Sequence, residues 1–391
     1  MQTKNQYFLP PTLNGPLKSI CQAHRYLPSV VSDPSRKAEA LAVLAADIFE
    51  KIEKPETWKE FSKTPQALAL RKANRFGAAF NELGEVLQTE GLRTHYLGVL
   101  DSKAPLEGDS VEPRKVSDMR EPFRRIVVRQ VSVVKPTTHS ILGRAVPDYE
   151  ATRKSPLPRL IPLEVVFRFS AQGSSSIVKR VEQDPGYLAS LGFSEAKIGP
   201  GVKWDFPVLE LFTKLEPSDR IVPLAEALSI SGLAASQLQE VMLKTAWVAG
   251  WLKYLCARSG LELADGKLEW GLTEDGKIFL VDAIGLDELR ILKDGVSLSK
   301  EFLREYYRTT LWFKSVEKGK TFARIQGADE WKRFVQDAPA PLPPHFKELG
   351  VQVFLTLVNE LTGRNWLPDS WTLEKVVSGL KQFEESGKTG K

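Results

Sequence analysis

Cysteine is almost absent from this 391-residue chain, which has only Cys21 and Cys256. That excludes a disulfide framework and a thiolate metal cluster. Histidine is nearly as scarce, and His24, His95, His139 and His345 lack the close spacing of a metal-ligand set. No apolar run approaches the roughly 20 residues that a membrane-spanning helix needs. The first residues also lack the basic-then-apolar order of a signal peptide. A cytoplasmic protein with no membrane partner is therefore expected. An excess of one charge is missing too: 54 Lys and Arg against 49 Asp and Glu leave a formal +5. So mild a balance argues against a nucleic-acid partner, which usually demands a concentrated basic patch. The densest basic stretches, "FRRIVVRQ" and "TRKSPLPR", read as solvated loop and strand-edge charges.

What is present is ordinary for a globular protein: 42% apolar residues, 26% charged residues and nine tryptophans. The length suits two domains or one large two-lobed unit. Residues 1–35 read as irregular. "PSRKAEALAVLAADIFEKIE" carries apolar residues at helical spacing, with Asp33 or Ser35 as N-cap. A single long helix is expected over residues 64–91, entered at Thr64-Pro65. "RRIVVRQVSVV" alternates and is β-branched, so it reads as a strand. Residues 135–159, punctuated by Pro136, Pro147, Pro156 and Pro158, read as an inserted loop. Strands follow at "LIPLEVVFRFS" and "FPVLELFTK", then a long helix ending at Gly260 and several C-terminal helices. Strands and helices mix without βαβ alternation, which favours an α+β fold. The expected division is 1–134, 135–159 and 160–391.

Two stretches carry candidate chemistry. The first is "LADGKLEWGLTEDGKIFLVDAIGLDELR", residues 263–290. A two-residue turn at Asp275-Gly276 pairs Glu274 with Lys277 and sets Glu269 opposite Asp282. Opposed acids repel across a ladder. Asp265, Lys267 and Glu269 share one face of the strand, while Leu268, Trp270, Leu272, Phe279 and Val281 are expected on the other. A divalent cation between Glu269 and Asp282 relieves the repulsion, and Mg²⁺ typically takes one or two carboxylates plus phosphate oxygens. A solvated charged face, neutralised by Lys267, accounts for the same pattern. The second stretch is "RFSAQGSSS". Arg168 at a strand end, Gly173 for close backbone approach and the hydroxyl of Ser174 form either a phosphate cradle or a plain serine-rich turn.

In this order and spacing the segments resemble the SAICAR synthetase family of ATP-dependent ligases. "IPLEVVFRFSAQGSS" is similar to the family's strand and Gly-Ser turn. "ELFTKLEPSDRIVP" resembles its "TK…D" segment, and "ADGKLEWG…LVDAIGLDELRIL" resembles its metal-site hairpin. The resemblance implies a two-lobed fold with a small N-terminal lobe and a larger α+β C-terminal lobe, ATP lying between them. It implies that a phosphorylated aminoimidazole ribotide is joined through its carboxylate to aspartate by way of an acyl phosphate, often in a homo-oligomer. Arg168, Gly173, Ser174, Lys214, Asp219 and Arg290 are then expected to bind substrate. Asp265 and Lys267 are expected at the reacting centre, Glu269 and Asp282 at Mg²⁺, and Lys18, Glu269 and Asp282 at the nucleotide. Four positions depart from the family pattern. Ala283 stands for a glutamate, Leu289 for a serine, Leu292 for a tryptophan, and Pro16 for the nucleotide lysine, which Lys18 replaces from two residues on. These losses keep a second reading open, a non-catalytic relative that binds a ribotide or a protein.

Overall fold

The computed structural model describes residues 6–8, 17–20, 34–101, 112–171, 175–193, 199, 201–216, 219–299, 301–308, 310–326 and 331–389. Strands β1 (Gln6–Phe8) and β2 (Leu17–Ile20) are described by backbone alone. Helix α1 (Pro34–Ile52) follows, with proline in its first turn, where the missing N–H costs nothing. From Ala40 to Ala46, and again at Ile48, Phe49 and Ile52, α1 is buried, as suits a helix that is apolar on nearly every side.

Helices α2 (Pro55–Phe61), α3 (Pro65–Lys72) and α4 (Ala78–Glu90) come next. The Thr64 side chain accepts from the Ala67 N–H at 3.2 Å, which caps α3. Where one helix over 64–91 is expected, two are found. Gly77 takes φ +64°, a conformation a continuing helix cannot contain.

Strands β3 (Tyr96–Leu100) and β4 (Arg125–Arg129) complete a four-stranded sheet in the order β1-β2-β4-β3. The expected loop at 135–159 contains a hairpin, β5 (Thr137–Ile141) and β6 (Arg144–Asp148), and a helical turn, α5 (Glu150–Arg153). Side chains anchor its base: Tyr149 donates to Glu216 at 2.8 Å and Arg153 to the Ser229 carbonyl at 2.9 Å.

The second sheet has six strands. Its members are β7 (Arg159–Ser170), β8 (Lys203–Thr213), β9 (Glu262–Leu272), β10 (Ile278–Val281), β11 (Leu289–Lys293) and β12 (Val296–Ser297). Their order is β12-β11-β9-β7-β8, and β10 also pairs with β9. Between β7 and β8 lie the short helices α6 (Ser176–Gln183) and α7 (Tyr187–Ser190); after β8 come α8 (Leu224–Ser231) and the long α9 (Ala235–Arg258). Helix α9 covers one face of this sheet. Trp270 points at it and donates to Thr245 at 3.0 Å. Helices α10 (Glu301–Arg308), α11 (Leu311–Gln326), α12 (Pro344–Thr362) and α13 (Leu373–Thr389) close the chain, with α1 packed on α12. Among the described residues no helix is long and apolar enough to cross a membrane.

Two backbone junctions join the sheets. Leu280 of β10 donates to Arg93 at 3.0 Å and accepts from His95 at 2.9 Å, while Arg129 of β4 donates to the His95 carbonyl at 2.7 Å. Ser132 donates to Pro158 at 2.7 Å and accepts from Leu160 at 3.0 Å. The four-stranded sheet is thus stitched to the edge of the six-stranded one.

The β9–β10 turn differs from the two-residue turn expected. Thr273 donates to the Lys277 carbonyl at 2.9 Å, and Gly276 donates to Thr273 at 3.0 Å. The loop is therefore the three residues Glu274, Asp275 and Gly276, with Gly276 at φ +75°, the three-residue hairpin that ends in a left-handed glycine. The Thr273 hydroxyl, accepting from the Lys277 N–H at 2.9 Å, favours this closure. One extra loop residue shifts the register, so Glu269 pairs with Val281 and Gly271 with Phe279. Phe279 and Val281 therefore lie on the Glu269 face, and Ile278 and Leu280 join Leu268, Trp270 and Leu272 against α9. Gly271 makes room for this, since a Cβ there lies 2.6 Å from the Phe279 ring.

Candidate active site

The sheet face away from α9 carries two polar clusters, one toward each end of β9. They follow from period-two alternation: Glu164 and Arg168 of β7 stand on the face shared by Asp265, Lys267 and Glu269 of β9. The ladder pairs Arg168 with Asp265, Val166 with Lys267 and Glu164 with Glu269. Arg290 of β11 lies across from Asp265.

At the first cluster, Arg168, Asp265 and Arg290 form a row across three strands. Arg168 Nη1 is 3.1 Å from Asp265 Oδ2, and Arg290 Nη1 is 3.0 Å from the same oxygen. Arg168 Nε donates to Glu210 of β8 at 2.6 Å. Glu210 is fully buried, and it also binds Arg180 and accepts from Tyr187 at 2.7 Å. Burial works against the Glu210 charge, but Arg168 and Arg180 outweigh it and hold its pKa below the usual range. Burial likewise opposes the Arg168 charge, and Glu210 and Asp265 more than restore it. Buried Glu301 binds Arg290 (3.4 Å), Arg304 (3.2 Å) and Arg308. These five arginines thus meet four acids, Glu210, Asp265, Glu301 and, beside Arg308, Glu305, leaving a small positive excess. The Ser175 and Ser176 hydroxyls accept from Arg168 at 3.3 and 3.5 Å. Arginine forks and hydroxyls of this kind suit a phosphate.

The second cluster has the opposite balance. Lys267 Nζ donates to Glu164 at 2.9 Å and to Glu269 at 2.8 Å. Lys214, just past β8, pairs with Glu164 at 3.2 Å and with Glu269. Glu269 is also hydrogen-bonded to Asp282, and burial together with the Asp282 charge raises its pKa. Asp219, although exposed, is pushed up to about 6 by the partial desolvation of its carboxyl and by the Glu164 charge. Burial opposes the Lys267 charge, but Glu269, Glu164 and Asp282 drive its pKa above the ordinary value. Four carboxylates, Glu164, Asp219, Glu269 and Asp282, thus meet two ammonium groups. Burial is the first cause of the raised Glu269 and Asp219 pKa values, and the neighbouring acids add to it. Among the described residues no three His, Cys, Asp or Glu side chains are set to enclose a metal. The surplus charge and the touching Glu269 and Asp282 carboxyls nevertheless fit a Mg²⁺ ion that takes two carboxylates and completes its shell from phosphate and water. Beside this cluster Leu160, Phe279 and Val281 form a small apolar patch with Val131 and Leu215.

A family model for SAICAR synthetase matches residues 147–318. A protein of Archaeoglobus fulgidus, provisionally named a phosphoribosylaminoimidazole-succinocarboxamide synthase, is 32% identical over 302 residues, covering 77% of this chain and 83% of its own length. The chain belongs to the SAICAR synthetase family. The phosphoribosylaminoimidazole-succinocarboxamide synthase of Thermoplasma acidophilum is 30% identical over 215 residues, 53% of this chain and 69% of that protein. A solved SAICAR synthetase (Type-2) in complex with ADP overlaps 84% of this chain and 97% of its own at 18% identity, with a TM-score of 0.46; a likeness that loose assigns no residue here. The α+β class expected from the sequence is the class observed, and SAICAR synthetases are ligases.

Of the expected site residues, Arg168, Asp265 and Arg290 come together at the arginine-rich cluster. Lys214, Asp219, Lys267, Glu269 and Asp282 come together at the acidic one. Asp265 binds Arg168 and Arg290 rather than Lys267, which places it with the phosphate-type groups. Lys18 lies on β2 opposite Val128, its side chain outside the described set, and Gly173 and Ser174 lie outside the described residues.

Sequence reasoning missed Glu164, Arg180, Glu210, Glu301 and His95. A faint signal existed for two of them, since Glu164 and Glu210 are charges set between apolar neighbours within β7 and β8. His95 had none, because only the folded chain brings it to Leu280 of β10.

Proposed function

We propose that this chain joins the carboxylate of a phosphorylated aminoimidazole ribotide to the amine of aspartate at the expense of ATP, through an acyl phosphate. One observation supports the reading above the others. Lys267 stands on β9 midway between Asp265 in the arginine cluster and Glu269 in the acidic one. At about 3.3 Å per residue the two ends lie about 13 Å apart, with Lys267 about 7 Å from each. A ribotide anchored by its phosphate at Arg168 and Arg290 extends its ring carboxylate toward Lys267. Nucleotide phosphates arriving at Glu269 and Asp282 approach from the other side.

Each group then has a task that its surroundings allow. Arg168 and Arg290, fixed by Glu210, Asp265 and Glu301, bind the ribotide phosphate, with Ser174 and Gly173 completing the cradle. Glu269 and Asp282 would hold Mg²⁺, which would supply positive charge to the nucleotide phosphates. Lys267 keeps its proton, so it offsets charge on the transferring phosphoryl group rather than acting as a base. Lys214 supports it by sharing Glu164 and Glu269. Asp219, ionised above about pH 6, is suited to take a proton from the incoming amine. The acyl carbon gains the C–N bond as the acyl phosphate C–O bond breaks, and inorganic phosphate leaves. Lys18 is the candidate for a nucleotide contact from the four-stranded sheet.

ADP formation measured with Mg-ATP, ribotide and aspartate, each omitted in turn, tests this reading. Full turnover is expected to need all three. Lys267→Met is expected to lower kcat by about 100-fold or more while ribotide affinity holds. A melting temperature that rises with ribotide but never with Mg-ATP overturns the ligase reading in favour of a binding protein.

A further inference from the structure

Helices α3 and α9 and the ends of β7 and β8 line a cavity of about 280 Å³ that opens to solvent and shares no residue with either cluster. Phe169 follows Arg168 on β7 but faces α9, so the cavity lies behind the arginine row. Its floor is apolar, with Leu70 and Phe169 both buried. Gly250 lets α9 approach α3 closely, since a Cβ there would lie 2.5 Å from the Leu70 side chain.

Two opposite charges line this cavity without pairing. Lys253 of α9 has three N–H donors, and among the described residues one acceptor meets them, the Trp204 carbonyl at 3.2 Å. The Lys253 Nζ lies 4.4 Å from the centre of the Phe169 ring. Burial pushes the Lys253 pKa down, as expected of an ammonium with few partners. Asp205 of β8 is exposed at the same cavity, beyond ion-pair distance of Lys253. Among the described residues the Asp205 side chain and that of Gln66, in the first turn of α3, have no hydrogen-bond or ion-pair partner.

The cavity is slightly smaller than the roughly 300 Å³ at which ligand pockets begin, which suits a molecule of amino-acid size. Its lining matches the parts of an apolar amino acid. Lys253 and Gln66 offer donors to a carboxylate, Asp205 accepts from an ammonium, and Phe169 and Leu70 meet a hydrocarbon side chain. A phosphate or nucleotide would bring like charge beside Asp205, which disfavours it. We propose that this cavity is a second small-molecule site, which takes a free apolar α-amino acid between Lys253 and Asp205. The site stands independently of the ligase reading, since none of its residues serves either cluster.

The experiment is calorimetric binding of L-leucine to the full chain, beside isocaproate, which lacks the amine, and isoamylamine, which lacks the carboxylate. L-leucine is expected to bind, and each analogue to bind about 10-fold or more weakly, because one charged group of the site is then left unpaired. Lys253→Met is expected to weaken L-leucine by about the same factor and to remove its advantage over isoamylamine. Asp205→Asn is expected to weaken it likewise and to remove its advantage over isocaproate. Asp205 is exposed, so its variant decides the matter should Lys253→Met not fold. Saturating Mg-ADP and inorganic phosphate are expected to leave L-leucine in place. An unmodified chain that binds L-leucine more weakly than about 10 mM overturns the proposal, as does an Asp205→Asn chain that binds it normally. Displacement of L-leucine by phosphate or Mg-ADP puts it at the clusters already described, and that also overturns the proposal.

Discussion

Glu269 faces Val281 across the β9–β10 ladder, yet its carboxyl is hydrogen-bonded to that of Asp282, one residue further on. The turn register separates the two acids and the left-handed backbone of Asp282, at φ +61°, reunites them. Adjacent carboxyls repel, and the Lys214 and Lys267 charges beside Glu269 offset part of that repulsion. The contact between the two acids therefore works against stability.

Asp282→Asn tests that contact. Asparagine accepts a left-handed backbone, so the chain path is expected to survive. Without the Asp282 charge, the Glu269 carboxylate is no longer held at a raised pKa by its neighbour. The ligand-free melting temperature at pH 7 is expected to rise, while the further rise on adding Mg-ADP disappears. A variant that keeps the Mg-ADP increment contradicts a metal role for Asp282.

Arg168→Met tests the arginine row. Removing one member of a buried ion pair commonly costs 3–5 kcal/mol. Glu210 keeps Arg180 and Tyr187, and Asp265 keeps Arg290, so the low end, about 3 kcal/mol, is expected in denaturant unfolding. Inorganic phosphate, which should protect the unmodified chain against heat, is expected to give the variant no protection. A cost below about 1 kcal/mol means that the row contributes little to stability.

Asp219→Asn gives a pH signature. Its folded pKa of about 6 lies above the ordinary aspartate value of 3.8, so folding favours the protonated acid. That contribution is fully present below pH 3.8 and is lost as pH rises through about 6. Asparagine mimics the protonated form, so the variant is expected to melt higher than the unmodified chain at pH 7 and to match it near pH 3.5. If the proposed amine-deprotonating role holds, the variant also loses the rise in turnover between pH 5 and pH 7 expected from a base with a pKa of about 6. Equal melting temperatures at both pH values remove the case for a raised pKa.

Gly276→Ala probes the hairpin that aligns the acidic cluster. An added Cβ there meets no atom within 4 Å, so the cost comes from φ +75° alone. About 1 kcal/mol of stability is expected to be lost. Gln237 and Lys244 of α9 still hold the hairpin through the Gly276 and Ile278 carbonyls, at 3.1 and 2.8 Å, so Mg-ADP binding is expected to remain. Loss of that binding at this small cost would show that the turn, rather than α9, sets the register.

The sequence by itself determined the features that depend on near neighbours. Period-two alternation put Asp265, Lys267 and Glu269 on one face of β9, and apolar periodicity marked α1 and α9. Near Asp275-Gly276 the glycine marked a turn, but the loop length rested on Thr273, whose hydroxyl accepts from the Lys277 N–H and sets a three-residue closure. The break at Gly77 was similarly hidden, since a glycine in a helical pattern shows its φ only when folded. Tertiary structure alone decided the partners. Arg168 and Asp265 lie 97 residues apart, and Lys267 and Glu164 lie 103 apart. Which strands become neighbours depends on the whole chain's burial, not on any local pattern. His95 is the extreme case: its sequence neighbours say nothing of β10, and only the junction of two sheets brings its N–H to the Leu280 carbonyl.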